Sequence, residues 1–196
     1  MDKALITEYF RDPPILFTKR LILRKILKSD ADDVFEYSSD PEVTRYLLWD
    51  PHQNYRYTVR YLSYLQTRYR AGEFHDWALI LKDTGKMIGT CGFTAFDLTN
   101  NSAEVGYVLN RAYWHKGIAA EALSAVINFG FNELSLFRIE AKFMAGNVNS
   151  RRVMEKVGMS FEGINRGAML IKGKYTSIGV CSILANEYFS GEPKFY

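Results

Sequence analysis

Trp114-His115-Lys116-Gly117-Ile118-Ala119-Ala120-Glu121-Ala122 joins two different periodicities. Before it runs an alternating apolar stretch, Ala103-Glu104-Val105-Gly106-Tyr107-Val108-Leu109, and after it a helix-period segment from Ile118 to Leu134. A strand that feeds a glycine-containing turn at a helix N-terminus makes an anion site. Unpaired backbone N–H groups point outward there, and the helix dipole adds partial positive charge. Gly117 lets the backbone approach a ligand closely, while Ala119 and Ala120 keep side chains out of the way. The segment therefore predicts a phosphate-bearing ligand. Neither G-x-x-x-x-G-K-[ST] nor a strand-following G-x-G-x-x-G occurs.

Working outward, Leu16 to Ile26 reads as a first strand, and Ser29 or Asp30 as the cap of a helix with Ala31, Val34, Phe35 and Tyr37 inward. Asp40-Pro41 breaks that helix and starts a short turn carrying Val43, Tyr46 and Leu47. Tyr55 to Arg70 is helical by period, with Tyr57, Tyr61, Tyr64 and Leu65 as a packed stripe. Trp77 to Leu81 and Met87 to Phe96 are strands joined at Asp83-Thr84-Gly85-Lys86, and Asn100-Asn101-Ser102 turns into the strand over 103–109. Phe137 to Met144 follows the long helix as a strand. A short helix comes next, capped by Asn147 or Asn149, striped with Val153, Met154 and Val157 and ended by Gly158; two strands then close around Gly173. The order is β-α-α-β-β-β-α-β-α-β-β, a mixed α/β arrangement.

The chain's 196 residues fit one domain. An apolar content of 47% supports a substantial core rather than disorder. A net charge of +3 without a Lys/Arg block argues against nucleic acid as a partner. Cys91 and Cys181 lie in apolar runs without paired spacing and read as buried free thiols, which fits a cytoplasmic location. His52, His75 and His115 form no metal-ligand cluster, so no metal is expected. No apolar run is long enough to span a membrane, and the N-terminal stretch lacks a signal-peptide core.

Three segments in order resemble the GNAT N-acetyltransferases, and within them the branch of ribosomal-protein N-terminal acetyltransferases. The first is the loop above, similar to [QR]-x-x-G-x-[GA], with Trp114 where Gln or Arg is usual. It also resembles the branch form Tyr-Trp-Gly-Lys-Gly, with His115 replacing a glycine. The second is Asn147-Val148-Asn149-Ser150-Arg151-Arg152-Val153-Met154-Glu155-Lys156-Val157-Gly158-Met159, similar to N-x-x-S…E-K-x-G-[FM]. The third is Thr18-Lys19-Arg20-Leu21-Ile22-Leu23-Arg24 with Ser29-Asp30-Ala31-Asp32 and Asp40-Pro41-Glu42-Val43-Thr44-Arg45-Tyr46. The resemblance covers 16–190 and implies one domain over 1–196 with the GNAT fold. That fold is α/β, with a mostly antiparallel central sheet flanked by helices and a splayed strand pair at the acetyl-CoA site.

The resemblance also implies roles. The N–H of Leu109 would meet the thioester carbonyl, with Val108 and Asn110 lining pantetheine. Backbone groups of Lys116, Gly117, Ile118, Ala119, Ala120 and Glu121 would hold the pyrophosphate, with the Lys116 side chain either on phosphate or in solvent. Asn147 would bond pantetheine or cap its helix, and Arg152, with Arg111 and Arg151, would meet the nucleotide phosphates. Glu104 is the candidate base, on the strand face opposite Val105, Tyr107 and Leu109; Glu140 is its rival, expected in an ion pair with Arg138 and Lys142. Ser150 resembles a serine proposed as general acid, although its hydroxyl could equally cap the helix. Tyr175 and Tyr188 have no motif that selects them. Ser177 stands where relatives often carry Asp.

The expected reaction is acetyl transfer from acetyl-CoA to an amine by direct attack in a ternary complex. The acceptor is a protein N-terminus by analogy with the branch. An α-amine, with a reference pKa of about 7.7–8 against about 10.4 for lysine, needs less help to lose its proton. A small amine or amino acid is the alternative acceptor, and a CoA-binding sensor without turnover is the alternative class. A homodimer is compatible with all three.

Overall fold

The computed structural model describes residues 3–190; residues 1–2 and 191–196 of the expected domain lie outside the described residues. Helix α1 (Lys3–Arg11) leads to β1 (Leu16–Phe17) and β2 (Leu21–Arg24). After one 3₁₀ turn come α2 (Ala31–Ser38), α3 (Pro41–Thr44) and α4 (Tyr55–Ala71). A meander follows, made of β3 (His75–Leu81), β4 (Met87–Asp97) and β5 (Ser102–Leu109). The chain then alternates through α5 (Ile118–Asn132), β6 (Arg138–Met144) and α6 (Val148–Lys156), and closes with β7 (Ser160–Ile171), β8 (Lys174–Leu184) and α7 (Ala185–Ser190).

Eight strands form one sheet in the order β1-β2-β3-β4-β5-β6-β8-β7. Every neighbouring pair is antiparallel except β5 and β6, which are parallel and need the α5 crossover. Strand alternation sorts side chains onto two faces. Trp77, Leu79, Phe93, Val105, Ile139 and Ala141 meet α1 and α5 on one face. Ala78, Ile80 and Met87 meet Val34 and Tyr37 of α2 and Leu62, Leu65 and Tyr69 of α4 on the other. The second cover stops short of β5–β8, which leaves that half of the face open.

The parallel pairing is brief. Residues pair from Ser102↔Arg138 to Val105↔Ala141 and no further, although β5 runs on to Leu109 and β6 to Met144. Each strand instead follows its outer neighbour, β5 to Gly89↔Leu109 and β6 to Met144↔Ile178. The two strands splay apart. In β4, Thr94 is an extra residue between the pairs Phe93↔Val105 and Ala95↔Glu104, a bulge beside the divergence.

The single strand expected over Leu16 to Ile26 is two short strands, β1 and β2, and further local expectations are corrected. Helix α1 is a further element, ordered because Ile6 and Phe10 are buried; the Phe10 ring meets those of Trp77, Phe93 and Phe129 edge-on. On α4 the buried stripe is Thr58, Leu62, Leu65 and Tyr69, whereas Tyr57, Tyr61 and Tyr64 are 46%, 37% and 55% exposed. Asp30 occupies the position before α2 without capping it, because its carboxylate turns back to the Leu27 N–H and to Arg24. Helix α7 also lies beyond the strands the pattern predicts. Cys91 and Cys181 are buried thiols outside any disulfide.

Candidate active site

The splay opens into a cleft of about 800 Å³ lined by β5, the loop before α5, α6, β7 and the segment after α3. At its centre the ladder pattern of β5 matters. The Asn110 N–H donates to the Ile88 carbonyl at 2.8 Å, so Asn110 and then Val108 turn their backbone groups toward β4. By the same alternation Tyr107 and Leu109 turn theirs toward β6, where the pairing has ended. Trp114 fixes this end of the strand, its indole N–H donating to the Leu109 carbonyl at 2.8 Å.

The loop takes its shape from two left-handed residues, His115 at φ 61° and Gly117 at φ 73°. Gly117 starts α5, and the first bond of that helix runs from the Glu121 N–H to the Gly117 carbonyl. The N–H groups of Ile118, Ala119 and Ala120 precede it and have no intrahelical acceptor. All three residues line the cleft. A side chain at Gly117 would point at the Lys156 Nζ 3.6 Å away and at Arg20 Nη2 3.8 Å away. Two cations therefore stand over the open amides. Arg152, one turn before Lys156 on α6, also lines the cleft. Among the described residues neither Arg152 nor Lys156 has a carboxylate within ion-pair distance.

The loop is braced from the turn between β1 and β2. The Glu121 carboxylate accepts from the Thr18 hydroxyl at 2.6 Å and from Arg20 N and Nε at 2.7 Å each. Arg20 Nη1 also donates to the Lys116 carbonyl at 2.9 Å. Burial works against the charge on Glu121, yet Thr18 and Arg20 hold its carboxyl below its ordinary value.

Glu104 lies on the open face and lines the cleft, and its carboxylate accepts from Lys142 Nζ at 2.6 Å. Lys142 also pairs with Glu140 at 3.1 Å, and Glu140 with Arg138 at 3.0 Å. Glu104 foremost raises the Lys142 ammonium, with partial burial opposing and Glu140 adding. Across the splay, Asn147 caps α6 by accepting from the Ser150 N–H at 3.2 Å. The Ser150 hydroxyl is thus spared capping and sits 2.8 Å from the Tyr107 hydroxyl, which donates to the Ser150 carbonyl at 2.9 Å. Burial pushes the Tyr107 hydroxyl up, with the Ser150 hydrogen bond opposing, so Tyr107 is neutral at pH 7.

Of the residues singled out in the sequence, Glu104, Val108, Leu109, Gly117, Ile118, Ala119, Ala120, Asn147, Ser150 and Arg152 converge on the cleft. Four others are held elsewhere. Asn110 gives its amide to Glu36 at 2.8 Å and caps the turn at Ala112. Lys116 turns its ammonium over the Tyr113 ring, Arg111 pairs with Asp40 at 3.1 Å, and Arg151 pairs with Glu155 while covering the Phe161 ring. Glu121 has its N–H inside the helix and its carboxylate on Arg20, so it braces the loop. Tyr175 is exposed, and Tyr188 accepts from Asn128. Ser177 accepts from the Gly167 N–H at 3.1 Å and stitches the irregular part of β7, whose Asn165, Ala168 and Met169 line the cleft. Tyr107, Lys156 and Asp76 are among the lining residues that sequence reasoning did not assign to the site. For Lys156 the signal was present, four residues after Arg152 on one helix face.

An unpaired strand edge that runs into open helix amides beside Lys156 and Arg20 can hold a ligand that carries a pyrophosphate and an extended arm. Residues 20–160 match the family described as the acetyltransferase (GNAT) domain. The uncharacterized N-acetyltransferase p20 of Bacillus licheniformis is 37% identical over 173 residues, covering 88% of this chain and 97% of that protein. The [ribosomal protein uS5]-alanine N-acetyltransferase of Escherichia coli is 26% identical over 170 residues, covering 82% and 85%. A GNAT-family acetyltransferase structure from Bacillus anthracis superposes with a TM-score of 0.80 at 28% identity, covering 89% of this chain and all of that one. The chain belongs to the GNAT N-acetyltransferases, enzymes that move an acetyl group from acetyl-CoA to an amine acceptor. Among the described residues no group of His, Cys, Asp or Glu could hold a metal ion, and no helix is long and apolar enough to cross a membrane.

Proposed function

We propose that the acceptor is the α-amine of a protein N-terminus, acetylated by direct attack in a ternary complex. The observation that carries the reading is one continuous cleft that joins the open amides of α5, the free strand edge at Leu109 and the Glu104 carboxylate to a wide apolar mouth. Leu48, Trp49 and Met169 line that mouth at 66%, 36% and 37% exposure, a surface suited to a peptide. The similarity to an N-terminal acetyltransferase of Escherichia coli adds support.

In this reading the amides of Ile118, Ala119 and Ala120, with Lys156 and Arg152, bind the pyrophosphate and nucleotide phosphates. Acetyl-CoA supplies the activated acyl group. The Leu109 N–H, aimed into the splay, polarises the acetyl carbonyl and holds the charge that develops on its oxygen. Glu104 accepts a proton from the attacking amine, directly or through water, while Lys142 holds the carboxylate in place. The Tyr107–Ser150 hydroxyl pair returns a proton to the departing sulfur.

The test is release of free CoA thiol with short peptides bearing Ala, Ser or Met N-termini, against polyamines, amino acids and aminoglycosides, with mass spectrometry of the product. Peptide acetylation that falls about 10²-fold or more in Glu104→Gln is the expected result. Turnover confined to small amines would replace the protein N-terminus with a small-molecule acceptor. CoA binding without turnover on either set would favour a sensor.

A further inference from the structure

Asp76 stands on β3 in register with Gly92 of β4, which stands in register with Gly106 of β5. The two glycines add no side chain of their own between Asp76 and the splay, and what borders Gly106 is the Thr94 methyl, 2.9 Å from where a Cβ would stand. The carboxylate leans over Gly92: a Cβ there would fall 2.4 Å from Asp76 Oδ1 and 2.2 Å from the His75 carbonyl oxygen. The oxygen thus hangs over Gly92, about one strand spacing of 4.8 Å from Gly106, the neighbour of Tyr107 at the start of the splay. Glu104 lies two residues along the same face of β5, about 7 Å from Gly106. Asp76, Gly106 and Glu104 all line the one cleft.

Among the described residues the Asp76 carboxylate has no protein partner: it makes no hydrogen bond and no ion pair, while the nearby cation of the cleft, Lys142, is held by Glu104 at 2.6 Å. The titratable groups that feel it are Tyr37 of α2, Tyr61 and Tyr69 of α4 and Cys91 of β4, all neutral at pH 7. His75, the adjacent residue, turns its ring to Phe10 and Phe96. A part-buried carboxylate with no cation is costly to keep, unless a cationic ligand completes it.

We infer that Asp76 receives the ammonium group of the acceptor and takes its proton, acting as a second carboxylate of the acetyl-transfer site. The inference rests on the acetyl-transfer reading but not on the N-terminal choice of acceptor. The step balances. R–NH₃⁺ gives one proton to the Asp76 carboxylate, and the freed lone pair forms the C–N bond at the acetyl carbon. The C–S bond breaks with its electron pair going to sulfur, and the second amine proton ends on sulfur as the thiol. Burial raises the Asp76 carboxyl to about 7, which suits it to accept a proton from an amine near neutral pH.

The experiment compares wild type, Asp76→Asn and Glu104→Gln for kcat/KM against pH, using whichever amine the wild type acetylates. Asp76→Asn is expected to lose about 10²-fold or more and to lose the limb near pH 7, with the Kd for CoA unchanged. Activity within threefold of wild type with the same limb would overturn the inference. Wild-type silence on peptides with turnover of small amines revises the acceptor alone, and the same variants are then read on those amines. A second readout needs no turnover. In chain carrying ¹³Cγ-aspartate with CoA bound, one carboxyl resonance should titrate near 7, vanish in Asp76→Asn and shift to lower pH when alaninamide is added. An Asp76 resonance that titrates in the ordinary range, or ignores the amine, would also overturn the inference.

Discussion

His115 shows how a single side chain bears on the loop. Relatives of this branch favour glycine there; this chain keeps the left-handed backbone, at φ 61°, with a histidine. An L-residue in that region costs roughly 1–2 kcal/mol, and histidine is among the residue types found there more often. His115→Gly should therefore raise stability by about 0.5–1 kcal/mol after the added unfolded-state freedom of glycine is subtracted. In a thermal melt this reads as about 1–4 °C. Asp76 offers a second residue-scale test. Its folded carboxyl near 7 lies above the unfolded value of about 3.9, so between those values the folded chain binds the extra proton. Stability from this group is present at low pH and is lost as pH rises through that window. Asp76→Asn should melt above wild type at pH 8, and the gap should close toward pH 4. A gap independent of pH would show that the carboxyl is not perturbed.

Among elements, the end of β5 and the loop before α5 act as one piece because Trp114 ties its indole to the Leu109 carbonyl. Trp114→Phe keeps the ring's packing and removes the donor. Stability should fall by about 1 kcal/mol. kcat should fall about tenfold or more while KM for acetyl-CoA changes less, because a small misplacement of a group that meets the reacting carbonyl penalises the transition state most. Equal changes in kcat and KM would count against this. The strand, turn and helix that make this piece were readable from periodicity and from Gly117. Resemblance alone supplied the splay, because it depends on which neighbour each strand follows after Val105, a choice made between segments far apart in sequence. Asp76 escaped for a related reason. Its significance comes from the glycines in register beside it, and register is a property of the assembled sheet. Resemblance supplied the role proposed for Glu104; its pairing with Lys142 needed the parallel register of β5 and β6. The α4 stripe differs from the expected one because Thr58, Leu62 and Tyr69, rather than Tyr57, Tyr61 and Tyr64, join Leu65 on the buried side.

At the scale of the whole molecule, the sheet divides where the ligand would lie. Strands β1–β5 form one wing and β6–β8 the other, and their backbones are joined by four residue pairs, from Ser102↔Arg138 to Val105↔Ala141. A CoA-type ligand at 100 times its Kd should stabilise the fold by about 2.7 kcal/mol, or roughly 5–11 °C in Tm. Hydrogen-exchange protection should rise on both wings, at β4–β5 and at β6–β8; protection confined to the loop before α5 would contradict this. The same narrow seam then governs opposite demands. A cosubstrate lodged in it serves as a keystone, completing a joint that the chain leaves unfinished, so releasing CoA after each turnover means reopening the suture between the two wings.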